Sequence, residues 1–245
     1  MCRHILTLLA IIALLTSCRD QYSIHGTSSI QTLDGRMLYL KAVQDNELRT
    51  IDSSEVVHGQ FRFGGTLDSV CMATLFMDEQ SVMPIVLEEG DIVIKLELGQ
   101  QVVGGTPLND RLYLFIDKHS QLENQMQELN HKEGQMVMDG MSLEEVNSEL
   151  AREASAIAAQ IDTLETNFIV NNFDNVLGPG VFMMICSAYQ YPVLTPQIED
   201  IMSKATETFR SNPFVNDYYK TAQENMMRMQ GLDPAAQPAD STLAK

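Results

Sequence analysis

Cysteine carries the most distinctive chemistry in this 245-residue chain, and its four copies divide by position. Cys18 closes the run Leu15-Thr16-Ser17-Cys18, directly after an apolar stretch from Ile5 to Leu15 and a basic start at Arg3. A basic start, an apolar core and small residues are the layout of a secretory signal. Small residues ending in Cys are what a lipoprotein signal peptidase requires. The expectation is cleavage after residue 17 and a diacylglycerol on the Cys18 thiol, which makes Cys18 the one assigned site. The apolar core is about half the length a membrane-crossing helix needs, so the lipid, with two or three acyl chains, is the expected anchor.

Cys2 leaves with the signal, and Cys71 and Cys186 remain in the folded region. Each sits in an apolar run, Val70-Cys71-Met72 and Met184-Ile185-Cys186, which reads as a small buried hydrophobe. The alternative in an oxidising envelope is a disulfide between them. There is no Cys-x-x-Cys, the minimal redox motif.

The other reactive types are scattered. His119 falls on an apolar stripe and reads as a satisfied core histidine. His25, His58 and His131 lie in turns or at strand ends, without the spacing of zinc ligands. Asp78-Glu79 and Glu88-Glu89-Gly90-Asp91 lack the alternating oxygen ligands of a calcium loop and read as solvated turns. Asp52-Ser53-Ser54 has no glycine-flanked elbow to raise a nucleophile. Gly104-Gly105-Thr106-Pro107 precedes a helix start but lacks the lysine of a phosphate loop, so it reads as a domain joint. Met226, Met227 and Met229 read as core. No catalytic residue, metal ligand or cofactor site is expected.

Charge narrows the partners. The formal net charge is −17. Residues 22–103 hold twelve acidic and five basic side chains, and residues 104–230 hold eighteen and eight. Such a surface repels phosphate backbones, which excludes nucleic acid, and it argues against a polybasic contact with anionic lipid.

The elements that must position these residues change period once. Met37–Val43 alternates, Val56–Phe63 reads as a hairpin turning at His58-Gly59, and Val70–Met77, Pro84–Leu87 and Ile92–Leu98 read as further strands. Pro84 confines its strand to an edge or a start. From Thr106, expected as a helix N-cap, the apolar spacing becomes helical: Leu108, Leu112, Phe115, His119, Leu122, Met126, Leu129. Gly134 and Gly140 bracket a connection. Ser142 with Glu145 is a capping box opening a second long helix, and the pair is expected to fold back as a hairpin. Asn171–Gly180 reads as a loop before a helix at Val181–Tyr189. Thr195-Pro196 and Asn212-Pro213 start further helices, with stripes Ile198, Ile201, Met202, Ala205, Phe209 and Phe214, Tyr218, Met226.

The expected fold class is α+β, an all-β antiparallel sandwich followed by an all-α region. The expected organisation is signal peptide 1–17, lipidated N-terminus 18–21, sandwich 22–104, helical region 105–230 and a disordered tail 231–245.

Several of these pieces together resemble the N-terminal domain of unknown function of thioredoxin-like thiol-disulfide interchange lipoproteins in Bacteroidetes-type bacteria. The resemblance rests on Tyr22-Ser23-Ile24-His25-Gly26, on Asp34-Gly35-Arg36-Met37-Leu38-Tyr39-Leu40, and on Ile51-Asp52-Ser53 leading to Gly59–Gly65. It continues through Leu87-Glu88-Glu89-Gly90-Asp91-Ile92, where Glu89 stands for the family's usual proline, and Val103–Asn109. The helical part, with Asn212-Pro213-Phe214, looks like the family's middle region. In that family a thioredoxin domain follows. Here only 14 residues follow Gly231, whereas such a domain needs about 100, so the family's redox activity is not carried over. The expectation is a non-catalytic, lipid-anchored envelope protein that binds or scaffolds an envelope partner, in the outer membrane on its periplasmic or surface face. The alternative is an accessory envelope redox protein using Cys71 or Cys186 with a separate thioredoxin-like partner.

Overall fold

The computed structural model describes residues 20–44 and 47–231. The signal peptide, Cys18 and residues 232–245 of the expected tail lie outside the described residues. Two compact units follow one another, divided between Asp110 and Arg111.

The first unit holds eight strands: β1 (Asp20–Ser28), β2 (Met37–Gln44), β3 (Glu47–Glu55), β4 (Gln60–Leu67), β5 (Cys71–Met77), β6 (Gln80–Leu87), β7 (Gly90–Glu97) and β8 (Gln100–Gly104). They form two four-stranded sheets, ordered β4-β1-β7-β8 and β3-β2-β5-β6. Period-2 alternation sends one face of each sheet inward. Ile24, Phe61, Phe63, Ile92, Ile94 and Leu96 come from the first sheet, and Leu38, Leu40, Leu75 and Ile85 from the second; all are buried. The result is the expected sandwich, with one exception to its antiparallel order. β1 pairs in parallel with β7, Ile24 opposite Ile92. A parallel pair needs a long crossover, and here residues 29–89 supply it, forming the second sheet and β4 of the first.

The turn at His58-Gly59 forms as expected, but Val57 and Gln60 make only an isolated bridge, and the strands on either side, β3 and β4, belong to different sheets. Both residues have positive φ, 51° and 69°, and Val57 and Gln60 exchange backbone hydrogen bonds of 2.8 and 3.0 Å. That is the primed turn favoured by strand twist.

Two of the four sheet edges, β4 and β6, have backbone groups served by side chains. The Arg62 N–H of β4 donates to Ser54 Oγ of β3 (3.1 Å) and the Gly64 N–H to Asp52 Oδ2 (3.3 Å). Asp52 and Ser54 therefore cap an edge strand. On β6, Pro84 lies at the sheet edge, where its missing donor is tolerated. Two residues on, Asn109 takes the place of a neighbouring strand. Its Oδ1 accepts from Val86 N–H (2.9 Å) and its Nδ2 donates to Val86 C=O (2.7 Å).

Six helices follow: α1 (Pro107–Met138), α2 (Leu143–Val170), α3 (Leu177–Cys186), α4 (Pro196–Lys204), α5 (Glu207–Arg210) and α6 (Pro213–Met229). α1 and α2 form the expected antiparallel hairpin. Phe115 stacks on Phe168 with ring centroids 4.4 Å apart, His119 meets Glu165, and Lys132 pairs with Glu153. The position numbers rise on one helix as they fall on the other. Gly134 is inside α1 rather than at its end, and the connection shrinks to Asp139-Gly140-Met141.

Three helix starts differ from the sequence reading. Thr106 does not cap α1 through its hydroxyl, which instead accepts from Asn109 Nδ2 (2.9 Å). The N–H groups of Leu108 and Asn109 donate to Glu88 Oε1 (2.8 and 3.1 Å). A carboxylate at a helix N-terminus is the stronger partner, being charged and aligned with the helix dipole. α3 begins at Leu177, because Pro179 falls in the first turn, where it removes no helical hydrogen bond. The Ile198–Phe209 stripe breaks at Ala205, and Thr206 caps the short α5 by accepting from Phe209 N–H.

The core of the second unit is aromatic. Phe209 packs on Phe173 (4.5 Å between centroids) and edge-on to Phe182 (5.5 Å), and Phe182 stands edge-on to Tyr218 (5.9 Å). No helix among the described residues is long and apolar enough to cross a membrane.

Candidate functional site

Two polar constellations in the structure resemble machinery, and the geometry of each decides what it can do. The first was not foreseen. On the outer face of the first sheet, β1 and β7 bring together Ser23, His25 and Asp91, the residue types of a hydrolytic triad. Ser23 Oγ lies 2.9 Å from His25 Nε2, and Asp91 Oδ1 lies 3.9 Å from the same nitrogen. A triad needs its carboxylate on Nδ1, so that Nε2 is left to take the serine proton. Here serine and aspartate share one nitrogen. His25 and Asp91 are also exposed, at 48% and 81% of their side-chain surface, so water competes for both. The signal available to sequence was only the i, i+2 spacing of Ser23 and His25. Asp91 joins through the parallel register that places it opposite Ser23.

The second constellation is in the helical unit. His119 of α1 places Nε2 2.8 Å from Glu165 Oε1 of α2 and Nδ1 3.5 Å from Glu123 Oε2, one turn along its own helix. Glu165 is buried, and its other oxygen accepts from Gln197 Nε2 of α4 at 2.7 Å. The His119 ring also rests 5.7 Å from that of Phe115. The Glu165 hydrogen bond raises the His119 pKa above the ordinary histidine value. Partial burial opposes this, and the nearby charges of Glu123 and Glu165 add to it. The pKa of Asp162, on α2 with Glu165, is also raised, by burial and by the charge of Glu165. Both imidazole nitrogens therefore face carboxylates, and the arrangement works as a clamp across α1, α2 and α4. His119 is the satisfied histidine of the sequence reading, but its partner Glu165 was missed. A glutamate flanking an apolar stripe reads as solvated until a third helix covers it.

The clamp has a pH signature. A histidine whose folded pKa is raised binds more protons folded than unfolded across that interval, so its contribution falls as pH rises. His119→Gln is expected to destabilise the protein at pH 5.5 and to approach wild type above the folded pKa. Glu123 and Glu165 are the carboxylates that contact the imidazole, and Asp162 lies beside Glu165 on α2. Urea midpoints of both proteins at pH 5.5 and 8.5 check this. A gap between them that widens with pH refutes it.

The remaining candidates separate. Cys71 and Cys186 are free thiols, Cys186 buried and Cys71 half-buried. Burial raises the Cys71 pKa, and burial pushes Cys186 up to about 12, so neither is a thiolate nucleophile at neutral pH. Glu88, Thr106 and Asn109 form the buried joint described above. Among the described residues no group of three or more His, Cys, Asp or Glu is placed to hold a metal ion. The methionines ending α6 are not core as expected: Met227 and Met229 are 40% and 67% exposed.

The remaining cluster is apolar and exposed, at the tip of the α1–α2 hairpin. α1 ends in a Schellman turn. The Met141 N–H donates to Met136 C=O (3.2 Å) and the Gly140 N–H to Val137 C=O (3.1 Å), with Gly140 at φ 87°. The next residue, Ser142, starts α2 with its capping box: Glu145 N–H donates to Ser142 Oγ and Ser142 N–H to Glu145 Oε2. Around this turn stand Val137, Met138, Met141 and Leu143, exposed by 43, 82, 38 and 66%. Two shallow grooves run along the hairpin behind the tip. One, of about 640 Å³, has Leu122 and Leu164 in its floor and Gln121, Gln125 and Gln160 on its rim. The other, of about 410 Å³, is lined by Met126, Leu129 and Leu150 among others.

No curated protein matches the chain. A family model does match, over residues 22–112, and the span takes in both sheets, the Glu88–Asn109 joint and the first residues of α1. This bears out the resemblance in its coarser form. The sandwich and its joint are similar to the family described as "Domain of unknown function (DUF4369)".

Proposed function

We propose that this protein is a lipid-anchored component of a bacterial cell envelope that binds or scaffolds another protein and performs no catalysis itself. The observation that carries the binding half is the exposed apolar tip of the helical hairpin. Large apolar side chains clustered in solvent on a well-capped turn are the mark of an interaction surface. The imidazoles add support: His119 is enclosed by carboxylates, and His25 offers one nitrogen to two partners. The anchoring half rests on the Leu15-Thr16-Ser17-Cys18 sequence and on the resemblance to envelope lipoproteins. We infer from them an outer-membrane location, on the periplasmic or surface face.

Metabolic labelling with an alkyne fatty acid tests the anchor. Wild type is expected to take up label and sediment with membranes. Cys18→Ala is expected to lose the label and to shift at least about tenfold toward the soluble fraction, since removing the acyl chains removes about 0.8 kcal/mol per buried methylene. Label retained by Cys18→Ala sinks the assignment. Crosslinking followed by detergent-solubilised pull-down tests the binding half, and recovery of no reproducible partner counts against it.

A further inference from the structure

We propose that the hairpin tip is a docking knob for a concave apolar pocket rimmed by lysine and arginine on another protein. The inference rests on the binding reading above and names the chemistry of the partner.

Three features of the tip lead to it. Met138 and Leu143 project furthest into solvent, 82% and 66% exposed, with Val137 and Met141 beside them. They stand on a backbone fixed from both sides, by the Schellman turn at Gly140 and the Ser142–Glu145 capping box. A preset turn loses little freedom on docking, so more of the contact energy appears as affinity. Methionine adds an adaptable, polarisable surface suited to filling a pocket.

The rim sets the sign of the partner. Glu133, Asp139 and Glu144 are all exposed around the apolar residues. The nearest cations are already engaged within the hairpin, Lys132 with Glu153 and Arg152 with Glu149. Docking against a neutral surface would desolvate these carboxylates without a partner. A second copy's tip would oppose them with like charges, and an anionic bilayer would repel them. A cationic rim pairs them and speeds encounter.

The test uses the full-length protein in its own cells, with Met138 replaced by the photocrosslinker benzoylphenylalanine. Irradiation is followed by mass spectrometry of the crosslinked peptide. The expected product is one adduct with a different protein, at an apolar peptide flanked by Lys or Arg. Its yield is expected to fall roughly tenfold with Leu143→Glu, and similarly with Asp139→Asn plus Glu144→Gln or in about 0.5 M salt. These positions are exposed, and circular dichroism checks that each variant is folded. No adduct, an adduct with lipid or with a second copy, a target peptide without basic flanks, or an unchanged yield each overturn the proposal. The same crosslinker in place of Tyr191, which is 54% exposed in the helical unit, separates the two readings. A protein adduct there with none at the tip leaves the binding module standing and removes the knob. Silence at both positions removes both.

Discussion

Asn109→Leu is expected to destabilise the sandwich unit by about 2–4 kcal/mol, a large fraction of a domain's stability. Leucine fills nearly the same volume and keeps the helix, so the loss isolates hydrogen bonding. Asn109 is fully buried and its carboxamide serves Val86 N–H, Val86 C=O and Thr106 Oγ1 at 2.7–2.9 Å. Each buried group left without a partner costs about 1–3 kcal/mol. Asn109→Asp is the sharper variant. It keeps an acceptor for Val86 N–H, but sets a carboxylate against Val86 C=O and beside Glu88, whose Oε1 lies 3.5 Å from the Asn109 nitrogen. It is expected to lose at least as much at pH 7 and to recover part of the loss near pH 4, where a proton restores the donor. Hydrogen exchange at the Val86 amide reads the effect directly, about tenfold per 1.4 kcal/mol. Unchanged protection at Val86 in Asn109→Leu refutes the assignment.

Phe209→Ala is expected to cost the helical unit about 3–5 kcal/mol. The side chain is fully buried and joins Phe173 and Phe182 into one aromatic cluster that continues to Tyr218. Its own helix, α5, has four residues and a single side-chain cap from Thr206, too little to hold it in place if the ring is removed. Phe209→Leu keeps most of the volume and is expected to lose about a third as much. Phe214→Ala is the control: the ring is 42% exposed, and the change is expected to stay within about 1 kcal/mol. With no tryptophan in the chain, ellipticity at 222 nm is the natural readout, since the helices lie in residues 107–229. A melting midpoint for Phe209→Ala equal to that of Phe214→Ala contradicts the cluster's role.

Phe209 and Phe214 also show how far the sequence reached. Both sat on helical stripes, and periodicity could not say that one closes a core while the other faces water. Where the pattern was strictly local it served well. Met37–Val43 alternates and is β2, Ser142 with Glu145 is a capping box, and Thr195-Pro196 and Asn212-Pro213 open α4 and α6. It missed what depends on residues distant in sequence. β3 is a largely exposed edge strand whose polar side chains cap β4, so it has no apolar alternation to detect. β8 has five residues. Glu88 looked like a solvated turn because the N–H groups it accepts from lie twenty residues on, in α1. Ser23, His25 and Asp91 meet only through a parallel register, and Glu165 meets His119 of α1 and Gln197 of α4, both more than thirty residues away in sequence.

The borrowed cap on α1 bears on the order in which the chain acquires structure. A helix capped by its own neighbouring residues can start by itself, as α2 can from Ser142. The first turn of α1 cannot be completed in that way, because its acceptor, Glu88, sits in the turn that joins the two sheets, and Asn109 needs the finished edge of β6. During synthesis the strands leave the ribosome before the helix does. The N–H groups of Leu108 and Asn109 therefore have this acceptor only where the turn after β6 is in place.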